Sequence, residues 1–172
     1  LAQQHFEESR IDRSLNRADR TINTEKVEAY SANIDFLKKL GGSSKLFYGL
    51  EAVTNQVSSF GKIENIETGT TALGPSLYPQ SDWSSYAAYA TYQRDWTEKF
   101  STQVGARYNQ FVLNSQFDTT FYPFPFTTAN INNGALTGSL GAVFTPTEKW
   151  IISANLSTGF RSPNVDDVGK VF

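Results

Sequence analysis

Phe100-Ser101-Thr102-Gln103-Val104-Gly105-Ala106-Arg107-Tyr108-Asn109-Gln110-Phe111-Val112 decides the fold. Its even positions Phe100, Thr102, Val104, Ala106 and Tyr108 are largely apolar, whereas Ser101, Gln103, Gly105, Arg107 and Asn109 between them are polar or small. A period of two is that of a β-strand with unlike faces; a helix would repeat every three to four residues. The same alternation recurs at Val27–Lys39, Lys45–Ser58, Ala135–Thr145 and Trp150–Thr158, although Phe47 and Val53 blur the second of these. In Trp83–Trp96 it is weakest, since Ala and Tyr occupy both faces, and residues 1–10 complete a set of about seven strands. Ser, Thr, Asn, Gly and aromatic residues dominate, so helix signals are poor throughout.

The connections fall into two kinds that alternate along the chain. Gly41–Ser44, Thr97–Lys99 and Pro146–Lys149 are short and carry turn formers suited to hairpins. About Arg10–Thr24, Ser59–Asp82 and Ser115–Gly134 the chain is polar or studded with Pro and Gly, and the tail from Gly159 enters a further such stretch. An antiparallel meander of this kind has one plain end and one elaborated end. Its strands run roughly 10 to 15 residues, nearer the 9–11 of a tilted membrane-spanning strand than the five or six usual in soluble sheets. Trp96 and Phe100 bracket one short turn and Phe144 and Trp150 another, placing rings where an aromatic girdle meets the membrane interface. The expected fold is therefore all-β, an antiparallel transmembrane β-barrel meander with lipid on the even-numbered face. Lipid tolerates no open sheet edge and bacterial single-chain barrels have even strand counts, so about seven strands point to a piece of a larger barrel. Asn164–Val171 does not alternate as a closing strand would, and Phe172 reads as a truncation boundary.

Composition narrows the function. With 15 Lys and Arg against 17 Asp and Glu, there is no basic surplus for nucleic-acid binding. Zero Cys excludes disulfides, thiolate metal sites and Cys nucleophiles. No apolar stretch approaches the roughly 18 residues of a spanning helix, and no signal peptide is visible. The chain has no Met, as expected of a processed or internal segment. It combines 14% aromatic residues with only 39% hydrophobic ones, a mixture that interfacial rings on a sparse apolar face explain.

Leu156–Phe172, LSTGFRSPNVDDVGKVF, resembles the strand-to-loop segment STGFRAPNxDDxGKVF of TonB-dependent outer-membrane receptors in their Bacteroidetes form. Tyr48-Gly49-Leu50-Glu51, Arg107-Tyr108-Asn109, Trp83–Tyr89 and Phe121–Phe126 are similar to further segments of that family, so the resemblance covers most of the chain. It implies about seven strands of a 22-stranded plugged barrel, with residues 1–172 forming part of the barrel domain and the plug and remaining strands elsewhere. It also implies a bacterial outer-membrane location and active uptake of a scarce nutrient, such as a siderophore-bound iron or haem. Expected partners are membrane lipid and lipopolysaccharide, the protein's own plug, the inner-membrane TonB–ExbB–ExbD complex and a small-molecule iron chelate. Neither a plug nor a TonB-contacting segment is recognisable, and Ser162 stands where the family usually has Ala.

No enzyme, cofactor or metal site is expected. His5 is alone, without a second ligand or a nucleophile motif, and Asp166 and Asp167 lack the alternate-position spacing of a calcium loop. Arg161 and Asn164 flank Pro163 at the elaborated end, where they could meet an anionic substrate group or hold the loop together. Tyr122 and Phe124 lie in a proline-bounded aromatic loop that could stack on a ligand or pack on itself. Glu51, Arg107, Asn33, Asn55 and Asn155 would face the lumen and, through the resemblance, the plug. Two rival readings remain at this level: a passive porin-like channel, and a soluble β-sandwich for binding or adhesion.

Overall fold

The computed structural model describes residues 1–169, the side chain of Asp166 excepted. The strands are β1 (Ala2–Asp12), β2 (Asp19–Lys39), β3 (Ser44–Asn65), β4 (Thr71–Gly74), β5 (Gln80–Thr97), β6 (Phe100–Gln116), β7 (Thr128–Thr147) and β8 (Trp150–Ser157). A single turn of helix, α1 (Val165–Gly169), follows. All strands join one antiparallel sheet in the order β1-β2-β3-β5-β6-β7-β8. The short β4 takes the edge of β3 that β5 leaves beyond Val57. This is the expected all-β meander, with β4 as an extra strand. The turn at Leu40–Ser43 works because Gly41 and Gly42 hold φ at +88° and +55°, where a Cβ would be strained.

Pairing sorts the side chains without ambiguity, since directly opposed residues share a face. Glu51 stands opposite Asn33 and Ala87, and Ala87 opposite Asn109. The odd residues of β2, β3 and β5–β8 therefore form one face and the even residues the other. The even face carries an apolar band: Tyr30–Phe36, Leu46–Ala52, Tyr86–Tyr92, Val104–Tyr108, Leu136–Phe144 and Ile152–Leu156. The band drifts toward the short-turn end from β2 to β8, as a level hydrocarbon layer does across tilted strands.

The apolar band is exposed rather than packed into a core. Among the described residues, Ala87, Phe111, Leu113 and Phe117 are the buried apolar side chains, whereas Leu136 and Leu156 are 75% and 74% exposed. A sandwich buries such a band against a second sheet; among the described residues no second sheet covers it.

The strands exceed the expected segments, and the long connections shrink accordingly. β3 runs 22 residues and β2 21, twice what a bilayer requires. Pairing continues through stretches that read as loops, with Asp12 opposite Thr21 and Gln116 opposite Thr128. The reason is solvation. In a membrane-spanning barrel the outer face beyond the bilayer meets water, so a strand there needs no apolar residues and its sequence looks like a polar loop. What remains as connection at that end is 13–18, 66–70, 75–79 and 117–127.

Within that extension the faces exchange character. Trp83, Phe111, Leu113 and Ile131 point inward while Asp82, Asn114 and Asn130 point outward. Leu113 is 1% exposed and Phe111 7%. Loops folded over the inner face make this core: the Phe160 ring lies 4.9 Å from Phe111, and Phe124 and Phe126 lie 5.3 and 5.0 Å from Phe117.

Candidate functional site

The inner face holds a polar network at the height of the apolar band. Arg107 Nη2 donates to Glu51 Oε1 at 2.6 Å and its Nε to Asn109 Oδ1 at 2.6 Å. Asn109 is buried and passes the link on, its Nδ2 donating to Ser85 Oγ at 3.0 Å. The guanidinium also sits 5.3 Å from the centre of the Tyr89 ring, within cation–π range. Tyr89 lies across Gly49, where a Cβ would fall 2.6 Å from its hydroxyl, and that hydroxyl donates to Asp35. Asn33 Nδ2 completes the set by donating to Asp35 Oδ2 at 2.8 Å. Four neighbouring strands thus share one hydrogen-bonded surface carrying Arg107 against Glu51 and Asp35.

Asn55 and Asn155 also lie on this face but outside the network. Asn55 stands opposite Trp83 on the inner wall. Asn155 stands opposite Gly141, whose Cβ would fall 2.5 Å from Asn155 Oδ1. Toward β7 and β8 the wall becomes smooth and hydroxyl-lined, with Thr91, Gly105, Thr137, Ser139 and Ser157 around an open hollow of about 260 Å³.

At the long-loop end a strap, 75–79, is tied down onto the same face. Asn23 Nδ2 donates to the Pro75 carbonyl at 2.9 Å, and Ser59 Oγ accepts from the backbone N–H groups of Leu77 and Tyr78 at 3.1 and 3.3 Å. Both anchors are buried, as polar groups with satisfied bonds can be. Gly61 makes the seat possible, because a Cβ there would collide with the Pro75 carbonyl oxygen. Beside the strap, burial raises the Glu25 carboxyl above its ordinary range; a hydrogen bond from Ser59 at 3.3 Å opposes this in part.

Tyr122 and Phe124 sit in a self-packed aromatic loop. Their rings are 6.1 Å apart, Phe124 stacks on Phe126 at 5.9 Å, and the crevice against Pro75, Tyr78 and Phe121 encloses only about 10 Å³. Asp118 at the loop's start is held below the usual carboxylate range by the hydroxyl and backbone N–H of Thr120.

Arg161 and Asn164 are engaged locally. Asn164 Oδ1 accepts from Asp167 N–H and Asp167 Oδ2 from Asn164 N–H, each at 3.0 Å, a reciprocal cap on α1. Arg161 Nη2 donates to the other Asp167 oxygen at 2.6 Å. The motif therefore builds a compact knot that brings Phe160 inward. Lys170, Val171 and Phe172 lie outside the described residues, as does the Asp166 side chain.

Trp96, Phe100, Phe144 and Trp150, expected as girdle residues, lie exposed at the short-turn end. Phe100 and Phe144 pair edge to face at 6.5 Å. Trp96 donates from Nε1 to Thr102 Oγ1 at 2.8 Å beneath the Arg94 guanidinium, and Trp150 stands opposite Thr147. His5 lies on the outer face, its Nδ1 2.5 Å from Glu28 Oε1.

Sequence reasoning missed Asp35 and Tyr89 as network members, although both occupy odd positions of alternating segments. It also missed the strap and its anchors Asn23, Ser59 and Gly61. For the inner core a signal existed in Trp83, a large apolar residue on the otherwise polar odd-numbered face.

Compared with known protein families, residues 3–170 match the family described as TonB dependent receptor-like, beta-barrel. Among curated proteins none matches the chain.

Proposed function

The chain belongs to the TonB-dependent receptor β-barrel family, outer-membrane receptors and transporters rather than enzymes, and from that premise we propose that it is part of the wall of a plugged receptor for active uptake of a scarce nutrient. The observation that carries this is the two-faced wall: an exposed apolar band outside, and inside a network in which Arg107, Glu51, Asp35 and Tyr89 present a continuous polar surface. A plug packed against that surface would find donors and acceptors in fixed positions. Closure requires more strands, since β1 and β8 stand at the edges of the sheet and lipid does not tolerate unpaired backbone.

In this reading residues 1–172 are a segment of the barrel domain in the bacterial outer membrane, with the plug and the remaining strands lying outside it. TonB–ExbB–ExbD drives import, and the cargo is an iron chelate or haem. The aromatic loop at Phe121, Tyr122, Phe124 and Phe126 supplies part of the mouth. Arg161 and Asn164 serve the knot rather than the cargo. The test is uptake of iron chelates by cells carrying the full-length gene, with and without TonB. Uptake that stops when TonB is removed is expected. Unchanged uptake would replace the receptor reading with a passive channel, and recovery of the full-length protein in the soluble fraction without detergent would remove both.

A further inference from the structure

The strap 75–79 and the aromatic loop 117–127 form one packed unit, since Pro75 and Tyr78 meet Phe121, Tyr122 and Phe124 around a crevice of only about 10 Å³. Ser59 holds the middle of the strap to the wall. Its hydroxyl accepts from the backbone N–H groups of Leu77 and Tyr78 at 3.1 and 3.3 Å, and donates its own proton to Glu25 Oε1 at 3.3 Å. The strap and an ionisable side chain thus share one oxygen atom. Register adds a second carboxylate. Glu8 of β1 stands directly opposite Glu25 on the inner face, beyond the apolar band, where the Cβ atoms of such a pair lie about 5 Å apart. Among the described residues Glu8 has no ion-pair partner, and Arg10, two residues on, is engaged by Asp12 at 3.1 Å.

From this we infer that Glu25, facing Glu8, is a proton-operated latch for the mouth. With a proton on the pair, Ser59 keeps the strap and its aromatic loop seated on the wall; with both carboxylates charged, the unit lifts. Its meaning for uptake rests on the reading of 117–127 as part of the mouth. Like charges directly opposed across two strands repel, and one shared proton removes that repulsion. Lifting the strap admits water to the Glu25 carboxylate, so the charged form favours the lifted state and the protonated form the seated one. The balance at Glu25 agrees in sign: burial does most to raise its carboxyl above the ordinary range and Glu8 adds to it, against the Ser59 hydrogen bond and Arg10. Seating is therefore complete below the ordinary Glu range and weakens as pH rises through the raised value. The other titratable groups near the unit are Arg10 and Asp12 on β1, Tyr78 in the strap and Asp118 in the loop. The inner face of β3 brings no charge here, presenting Val57, Ser59, Gly61 and Ile63. Asp118 is held below its ordinary range, so its own transition falls in more acid solution. His5 and Lys26 project from the opposite face.

The experiment uses the full-length receptor in vesicles with a single nitroxide, on Ser76→Cys in the strap or on Thr119→Cys in the loop; this chain contributes no other cysteine. Electron paramagnetic resonance spectra are taken from about pH 5 to about pH 8, above the range of an ordinary Glu. Both labels should be immobilised in acid and gain a mobile component along one common titration. Glu25→Gln should abolish the titration and leave both labels immobilised, whereas Ser59→Ala should leave both mobile at every pH. Glu8→Gln should move the midpoint to lower pH without abolishing it. Heat-modifiable migration in electrophoresis, unchanged in each variant, shows that the barrel is intact, and His5→Gln on the outer face should keep the wild-type titration. Labels that do not titrate overturn the inference, as does a titration that survives Glu25→Gln or is removed by His5→Gln. A strap label that titrates while the loop label stays fixed overturns the coupling to the mouth. Uptake independent of TonB, with the titration intact, would instead remove the receptor reading and leave the latch standing.

Discussion

At Gly61 one hydrogen in place of a methyl group decides whether the strap can lie across β3. Gly61→Ala puts a Cβ against a backbone oxygen that has no rotamer to adopt. Such overpacking costs about 1–3 kcal/mol. The expected result is faster limited proteolysis within 71–79, whereas Gly159→Ala, with nothing within 4 Å of its Cβ, leaves the pattern unchanged. Arg107 makes a different demand. Its pair with Glu51 is about one-third exposed on both sides, so solvent screens it. Arg107→Met should therefore destabilise by about 1 kcal/mol or less, read as a midpoint shift in guanidinium unfolding. A double-mutant cycle with Glu51→Gln should recover part of that loss, because the remaining carboxylate no longer faces the wall unpaired.

At the scale of elements, the loop 117–127 and the extended half of β2 answer pH in opposite senses. Hydrogen bonds from Thr120 depress the Asp118 carboxyl, so the loop's stabilisation is present above the ordinary Asp range and is lost as pH falls through the depressed value. Burial raises the Glu25 carboxyl, so its contribution is complete below the ordinary Glu range and is lost as pH rises through the raised value. Proteolysis of the aromatic loop should accordingly speed up in acid, and Asp118→Asn should remove that dependence. Glu25→Gln should flatten the opposite slope at the strap. The turn between β2 and β3 offers a third check. Gly42→Ala, at φ +55°, should cost about 1–2 kcal/mol, whereas Gly42→Asn should be nearly tolerated because Asn accepts that conformation.

The sheet has two unlike faces, and they can be told apart by substituting neighbours. Leu140 lies outward in the apolar band and Ser139 inward beside Gly105. Leu140→Arg should cost about 2–4 kcal/mol in folding into bilayers, and Ser139→Arg much less, when both are measured by urea titration in the same vesicles. Equal costs would mean that the band does not face lipid. The long-loop half holds a small core of Phe111, Leu113 and Phe117 on the inner side, with the Phe160 ring against Phe111.

The sequence by itself determined the class, the meander, the short turns and the apolar face, because each depends on local periodicity and turn chemistry. Phe100–Val112 and the positive-φ glycines at 41 and 42 suffice for these. The family was legible in Leu156–Phe172 for a different reason: the knot of Arg161, Asn164 and Asp167 is local, so its residues lie close together in the chain. Only the tertiary structure decided how far the strands run past the bilayer and where their inner face turns apolar. It alone joined Asp35, Tyr89, Arg107 and Glu51 and seated 75–79 on Asn23, Ser59 and Gly61. These features depend on register between strands and on loops returning to the wall. Alternation fixes which face a residue takes, but register fixes which residues meet across it.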